Sequence, residues 1–180
     1  MGVKEELILV DAADQPVGTA EKLEAHRAGK LHRAFSVFVF NSKGEMLLQK
    51  RASTKYHSPN LWTNACCGHP RLGETIAQAA HRRLGEEMGF DCTLKELFHY
   101  TYKVKLDKGL RENEFLHVLA GKFNGKIAPN AEEAGDWKWE KFDNVVRNAH
   151  SDAEQYTPWF KISVNDHERE WRALLKKPLF

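Results

Sequence analysis

The chain has 180 residues, 27 lysines and arginines against 25 aspartates and glutamates, a formal net charge of +2 and 42% hydrophobic residues. That length predicts one domain over 1–180 with a real core, and the balanced charge and ordinary composition exclude disorder and bulk nucleic-acid binding. No apolar run approaches the roughly 20 residues of a membrane-spanning helix, and the first six residues lack a signal-type apolar segment, so no membrane partner and a cytoplasmic location are expected.

Residues 7–10 predict a short strand, 14–18 a turn around Pro16 and Gly18, and 19–28 a segment of better helical composition, flanked by His26 and His32. Residues 35–40 and 45–51 are rich in β-formers on either side of Asn41-Ser42-Lys43-Gly44, which predicts a hairpin. A basic loop with Arg51, Lys55 and His57 leads to a third strand over 61–67, which Pro70 must end. Residues 75–88 predict a helix closed by Gly89, with Gly85 an oddity inside it. Residues 97–104 and 112–123 are β-rich and joined by a turn at Asp107-Lys108-Gly109, while Asn124-Gly125 gives a further hairpin signal. Trp137 and Trp139 alternate with charges in a last strand, and Asp143 is placed to cap a short helix. Thr157-Pro158 opens a final helix running to residue 175. Strands and helices mix without regular alternation, so the expected fold is α+β, a mixed sheet flanked by helices. Cys66, Cys67 and Cys92 are odd in number and two are neighbours, which fits free thiols in a reducing compartment.

From residue 68 to residue 90 the chain reads GHPRLGETIAQAAHRRLGEEMGF. Gly68, Glu74, Arg82, Leu84, Glu86, Glu87, Gly89 and Phe90 fall at the fixed positions of the pattern Gly, five residues, Glu, seven residues, Arg-Glu-apolar-any-Glu-Glu-any-Gly-apolar. This segment resembles the Nudix box. Arg82 with Glu86 and Arg83 with Glu87 are i,i+4 neighbours, so carboxylates gather on one helix face, a surface suited to Mg²⁺ with phosphate oxygens. One position departs from the pattern: Arg83 stands where diphosphate-hydrolysing members carry a metal-binding Glu. A guanidinium there favours holding a diphosphate over cutting it.

Residues around the box match a narrower pattern: Glu21-Lys22, His26, His32, Arg51, Lys55, Trp62-Thr63-Asn64, Cys67-Gly68-His69-Pro70, Tyr102, Glu112-Asn113-Glu114 and Pro158-Trp159. From residue 7 to 159 the chain resembles the type 1 isopentenyl diphosphate isomerases of the Nudix superfamily. Glu112 and Glu114, two apart in a strand, share a face, and with three imidazoles they make a mixed set suited to Mn²⁺, Zn²⁺ or Fe²⁺. The resemblance implies that His26, His32, His69, Glu112 and Glu114 hold one divalent metal, Mn²⁺ or Zn²⁺. It also implies that Mg²⁺ lies between Glu87, the Cys67 carbonyl and the substrate diphosphate. Lys22, Arg51, Lys55 and Arg83 are then expected to bind that diphosphate, with Trp159 facing a carbocation.

The implied reaction interconverts isopentenyl diphosphate and dimethylallyl diphosphate by protonation at C4 and deprotonation at C2. Two proton handlers are needed on opposite faces of the carbon chain. The expected pair is Glu114, hydrogen-bonded to Tyr102, and Cys67. A thiol is a poor acid for an alkene, which assigns protonation to Glu114 and deprotonation to Cys67; Cys66 receives no role. A Nudix diphosphate hydrolase and a silent diphosphate-binding module are the alternatives, and a monomer acting on a small allylic or homoallylic diphosphate is the favoured form.

Overall fold

The computed structural model describes residues 5–176, so the first four residues of the stretch read as lacking a signal segment lie outside the described residues. The chain starts with a hairpin of β1 (Glu6–Val10) and β2 (Pro16–Glu21), followed at once by α1 (Lys22–Ala28). Residues 19–21, grouped with the helix by composition, are strand, because Thr19, Ala20 and Glu21 pair with Ile8, Leu7 and Glu6. Cross-strand pairing overrides weak propensity there. The Glu21 side chain then caps α1 by accepting from the Leu23 and Glu24 amides, and Gly29 ends the helix at φ 66°.

Next come β3 (His32–Phe40) and β4 (Glu45–Arg51), joined by the expected turn and paired at Phe40↔Met46. The strand expected over 61–67 is broken into β5 (Trp62–Thr63) and β6 (Cys66–Gly68). Asn64 causes the break: its buried amide donates to the Val37 carbonyl at 3.1 Å and the Cys66 carbonyl at 2.6 Å, and the two pieces pair with different strands, β5 with β4 and β6 with β3. Helix α2 (Ile76–Met88) follows, started by a Thr75–Gln78 capping box and ended by Gly89. Gly89 has φ 71°, and a Cβ there would stand 2.1 Å from the Ala128 carbonyl oxygen, so no other residue fits. Nothing in the structure explains Gly85, around which a Cβ would find open space.

The long strands β7 (Leu94–Lys105) and β8 (Arg111–Lys122) pair antiparallel as expected. The Asn124-Gly125 signal does not make a hairpin, because β9 (Ala134–Lys141) pairs with β4 and not with β8. Helix α3 (Phe142–Ser151) has Lys141 at its N-cap, so Asp143 lies in the first turn and is not the cap. The single final helix is instead α4 (Pro158–Lys161), a π turn over Ile162–Asp166, and α5 (Glu168–Leu175). At the π turn the Ser163 carbonyl accepts from Trp171 Nε1 at 2.8 Å, a bond outside the helix ladder. Among the described residues no helix is long and apolar enough to cross a membrane.

The expected mixed α+β sheet is present, and β3 is its axis. One edge of β3 runs parallel to β8 from His32↔Glu114 to Phe40↔Lys122; along the other edge lie β1 at His32, β6 at 35–37 and β4 at Phe40. Phe35, Val37 and Val39 pack with Leu84 and Met88 of α2, whereas Phe38 and Phe40 pack with Phe160 and Trp171 of the C-terminal helices. Cover on both faces is why this strand is apolar from Ala34 to Phe40 apart from the buried Ser36.

Candidate active site

A cavity of about 950 Å³ opens at the His32 end of β3, lined from α1, β6, α2, β7, β8 and the start of α4. Every site residue expected from sequence borders it except His32, which is fully buried behind the wall.

Three imidazoles and two carboxylates meet at its base. Their register explains why: β3 and β8 place His32 beside Glu114, β7 places Tyr102 opposite Glu114, and α1 brings His26 over Glu112. His26 Nε2 is 3.1 Å from Glu112 Oε2, His32 Nε2 is 3.7 Å from Glu114 Oε1, and His69 Nε2 is 3.3 Å from Glu114 Oε1. The His26 and His32 Nδ1 atoms bond the carbonyls of Lys22 at 2.6 Å and Lys30 at 2.8 Å. A carbonyl only accepts, so Nδ1 carries the hydrogen and, in the neutral ring, Nε2 turns a lone pair toward the carboxylates. His32 Nε2 and Glu112 Oε2 are buried with no hydrogen-bond partner. Lone pairs facing anions repel unless a cation lies between them, so this donor set fits a divalent metal. Ligand atoms of His26, His32 and His69, and those of His32, Glu112 and Glu114, lie within 4.8 Å of one another.

The groups expected to handle protons sit at this cluster. Tyr102 donates to Glu114 Oε2 at 2.7 Å. Burial works to raise the Glu114 carboxyl, while the hydrogen bond from Tyr102 works to hold it down. For Cys67, burial and the nearby Glu87 push the thiol up to about 12.

The cations are arranged around the mouth. Lys22 pairs with Glu5 at 2.8 Å. Arg51 donates to the carbonyls of Ser58 and His57, both at 3.1 Å, and lays its guanidinium 5.2 Å from the Trp159 ring centre. Arg83 donates to Glu86 at 2.8 Å and to Glu87 at 2.7 Å. Glu87, nearly buried, also accepts from Gln49 at 2.9 Å, and burial holds its carboxyl above the ordinary range despite Arg83. Glu74, the other acid of the box, accepts two hydrogen bonds from Arg82 that hold it at about 2 and tie the loop to α2.

Several residues here carry no sequence signal of their own. Thr63 Oγ1 accepts from Trp159 Nε1 at 3.0 Å and donates to Asn64 at 2.9 Å, so one buried chain of bonds sets both the indole and the turn into β6. His57 packs edge-on to Trp159 with ring centres 5.6 Å apart. Glu133 reaches Lys55 and Arg83 from the loop before β9. The Trp62-Thr63-Asn64 match pointed toward Thr63 and the basic loop toward His57, with no site role for either, and nothing pointed toward Glu133.

The NUDIX domain model matches residues 30–160. Isopentenyl-diphosphate Delta-isomerase 2 of Photorhabdus laumondii is 50% identical over 177 residues, covering 94% of this chain and 98% of that protein. Isopentenyl-diphosphate Delta-isomerase of Burkholderia multivorans is 46% identical over 162 residues, with 90% and 92% covered. In fold, a crystal structure of a Deinococcus radiodurans protein has a TM-score of 0.73 at 19% identity, covering 93% of this chain and 98% of that one. The chain belongs to the NUDIX domain family and, within it, to the isopentenyl-diphosphate Delta-isomerases.

Proposed function

We propose that this protein interconverts isopentenyl diphosphate and dimethylallyl diphosphate, moving a double bond while the diphosphate stays intact. The observation that carries the reading is the single cavity in which a thiol, a tyrosine-bonded carboxylate and a buried indole adjoin a ring of cations. One of Cys67 and Glu114 gives a proton to C4 and the other takes one from C2. Tyr102 orients Glu114, and Trp159 faces the tertiary carbocation, where an aromatic contributes roughly 2 kcal/mol when desolvated. The cavity walls keep water from trapping that cation as an alcohol.

His26, His32, His69, Glu112 and Glu114 hold a divalent metal, Mn²⁺ or Zn²⁺, and Glu87 with the Cys67 carbonyl serves Mg²⁺. When bound, these ions supply positive charge that fixes the carboxylates and neutralises the diphosphate. Lys22, Arg51, Lys55 and Arg83 grip the diphosphate. Arg83 also argues against hydrolysis: in place of a further metal-binding carboxylate, α2 offers a guanidinium bonded to Glu86 and Glu87.

Incubation with isopentenyl diphosphate and Mg²⁺ in D₂O tests the reading by proton NMR. The vinyl signals should fade with deuterium uptake and no phosphate release. Phosphate release from nucleotide substrates, with the vinyl signals intact, would replace it with the hydrolase.

A further inference from the structure

Lys55 and Arg83 already hold an anion of the protein's own. Glu133 Oε2 accepts from Lys55 Nζ and, at 3.1 Å, from Arg83 Nη2. Burial works to raise this carboxyl, but Lys55 and Arg83 hold it below its ordinary value, so it is ionised. Its main chain is pinned on both sides: the Glu133 amide donates to the Asn130 carbonyl at 2.9 Å, and the Glu133 carbonyl accepts from the Ala52 amide at 3.0 Å. Asn130 in turn donates to the Glu87 carbonyl at 2.9 Å, at the end of α2. The loop is thus fixed to the two segments that carry Lys55 and Arg83. The side chain is not fixed in the same way, being 20% exposed on the cavity wall and free to turn about its own bonds.

We propose that Glu133 is an internal counter-anion, which a ligand must displace from Lys55 and Arg83 and which makes the site select for multiply charged phosphoryl groups. The inference rests on the proposed function, in which those two cations serve the diphosphate. A singly charged ligand exchanges like for like and gains little. A diphosphate brings several charges and two sets of oxygens, so it outbids one carboxylate held by the same donors. Release of Glu133 needs only a side-chain rotation, and the carboxylate returns when the product leaves.

Calorimetric titration of the full chain with inorganic pyrophosphate, without added Mg²⁺, tests this. Glu133→Gln should tighten binding about tenfold, the size of one charge-assisted hydrogen bond. Glu86→Gln, which removes an acid that pairs with Arg83 from the solvent side of α2, should change it by less than about threefold. Unchanged or weaker binding by Glu133→Gln overturns the inference, as does an equal gain from Glu86→Gln, which would assign the effect to the local field. Glu133→Ala is read in the same way should the amide variant not fold. Lys55→Met separates the two levels of the claim. If it weakens binding while Glu133→Gln fails to tighten it, the counter-anion alone falls. If wild type does not bind, or Lys55→Met binds as wild type does, the proposed diphosphate cradle falls and the inference with it.

Discussion

Tyr102 and Glu114 face each other across β7 and β8, both nearly buried, and the phenol donates to the carboxylate at 2.7 Å. The register of two long strands sets this contact, so it does not depend on a mobile loop. Tyr102→Phe removes the donor without opening a cavity. The expected loss in kcat is about 10- to 100-fold, the value of a hydrogen bond to a charged group, with KM little changed. A steady-state assay in which the variant keeps half the wild-type rate would remove Tyr102 from the mechanism.

Cys66 and Cys67 are neighbours in β6, so their side chains leave opposite faces of the sheet. Cys66 is fully buried in the cluster under α2, and Cys67 lines the cavity. Cys67→Ala should abolish turnover. Cys66→Ala should keep most of it while losing about 1 kcal/mol of stability through a small cavity. A dead Cys66 variant alongside an active Cys67 variant would place the reacting thiol on the wrong residue.

His32 is fully buried at the centre of the histidine and glutamate cluster, with its Nε2 unpartnered. His32→Ala should therefore lower the transition-metal content of the purified protein, measured by elemental mass spectrometry, and excess Mg²⁺ should not restore activity. An unchanged metal content would show that the five residues do not share an ion.

His57 is 7% exposed, and burial, reinforced by the Arg51 guanidinium, pushes its pKa from 6.5 down to about 4. Between those values the unfolded ring takes up a proton that the folded ring refuses. The unfolded state then binds more protons, and stability falls as the pH drops through that window. From pH 7 to pH 5 this one group should remove about 2 kcal/mol. Urea titrations at both pH values should show His57→Phe losing less than wild type by about that amount. Equal losses would mean that His57 takes up protons alike in both states.

Much of the machinery was legible in the chain itself. The spacing within 68–90 announced a loop and a helix, since helical periodicity depends only on local geometry, but the carboxylates expected on one face separate: Glu87 turns inward to Gln49 and Glu86 outward to solvent. The two-residue period of strands put Glu112 beside Glu114. The same local rules misled where pairing partners lay elsewhere: residues 19–21 joined β1, Asn64 split the strand over 61–67, and Asn124-Gly125 led to β4 and not to a hairpin. The sequence alone thus determined which chemical groups the protein owns and which face of its element each occupies. Only the tertiary structure decided which of them meet. The parallel pairing of His32 with Glu114, the turn of His57 onto Trp159, and the reach of Glu133 to Lys55 and Arg83 join residues far apart in the chain. Register between strands and the course of a connecting loop are set by the packing of both sheet faces, a property no local window of residues contains.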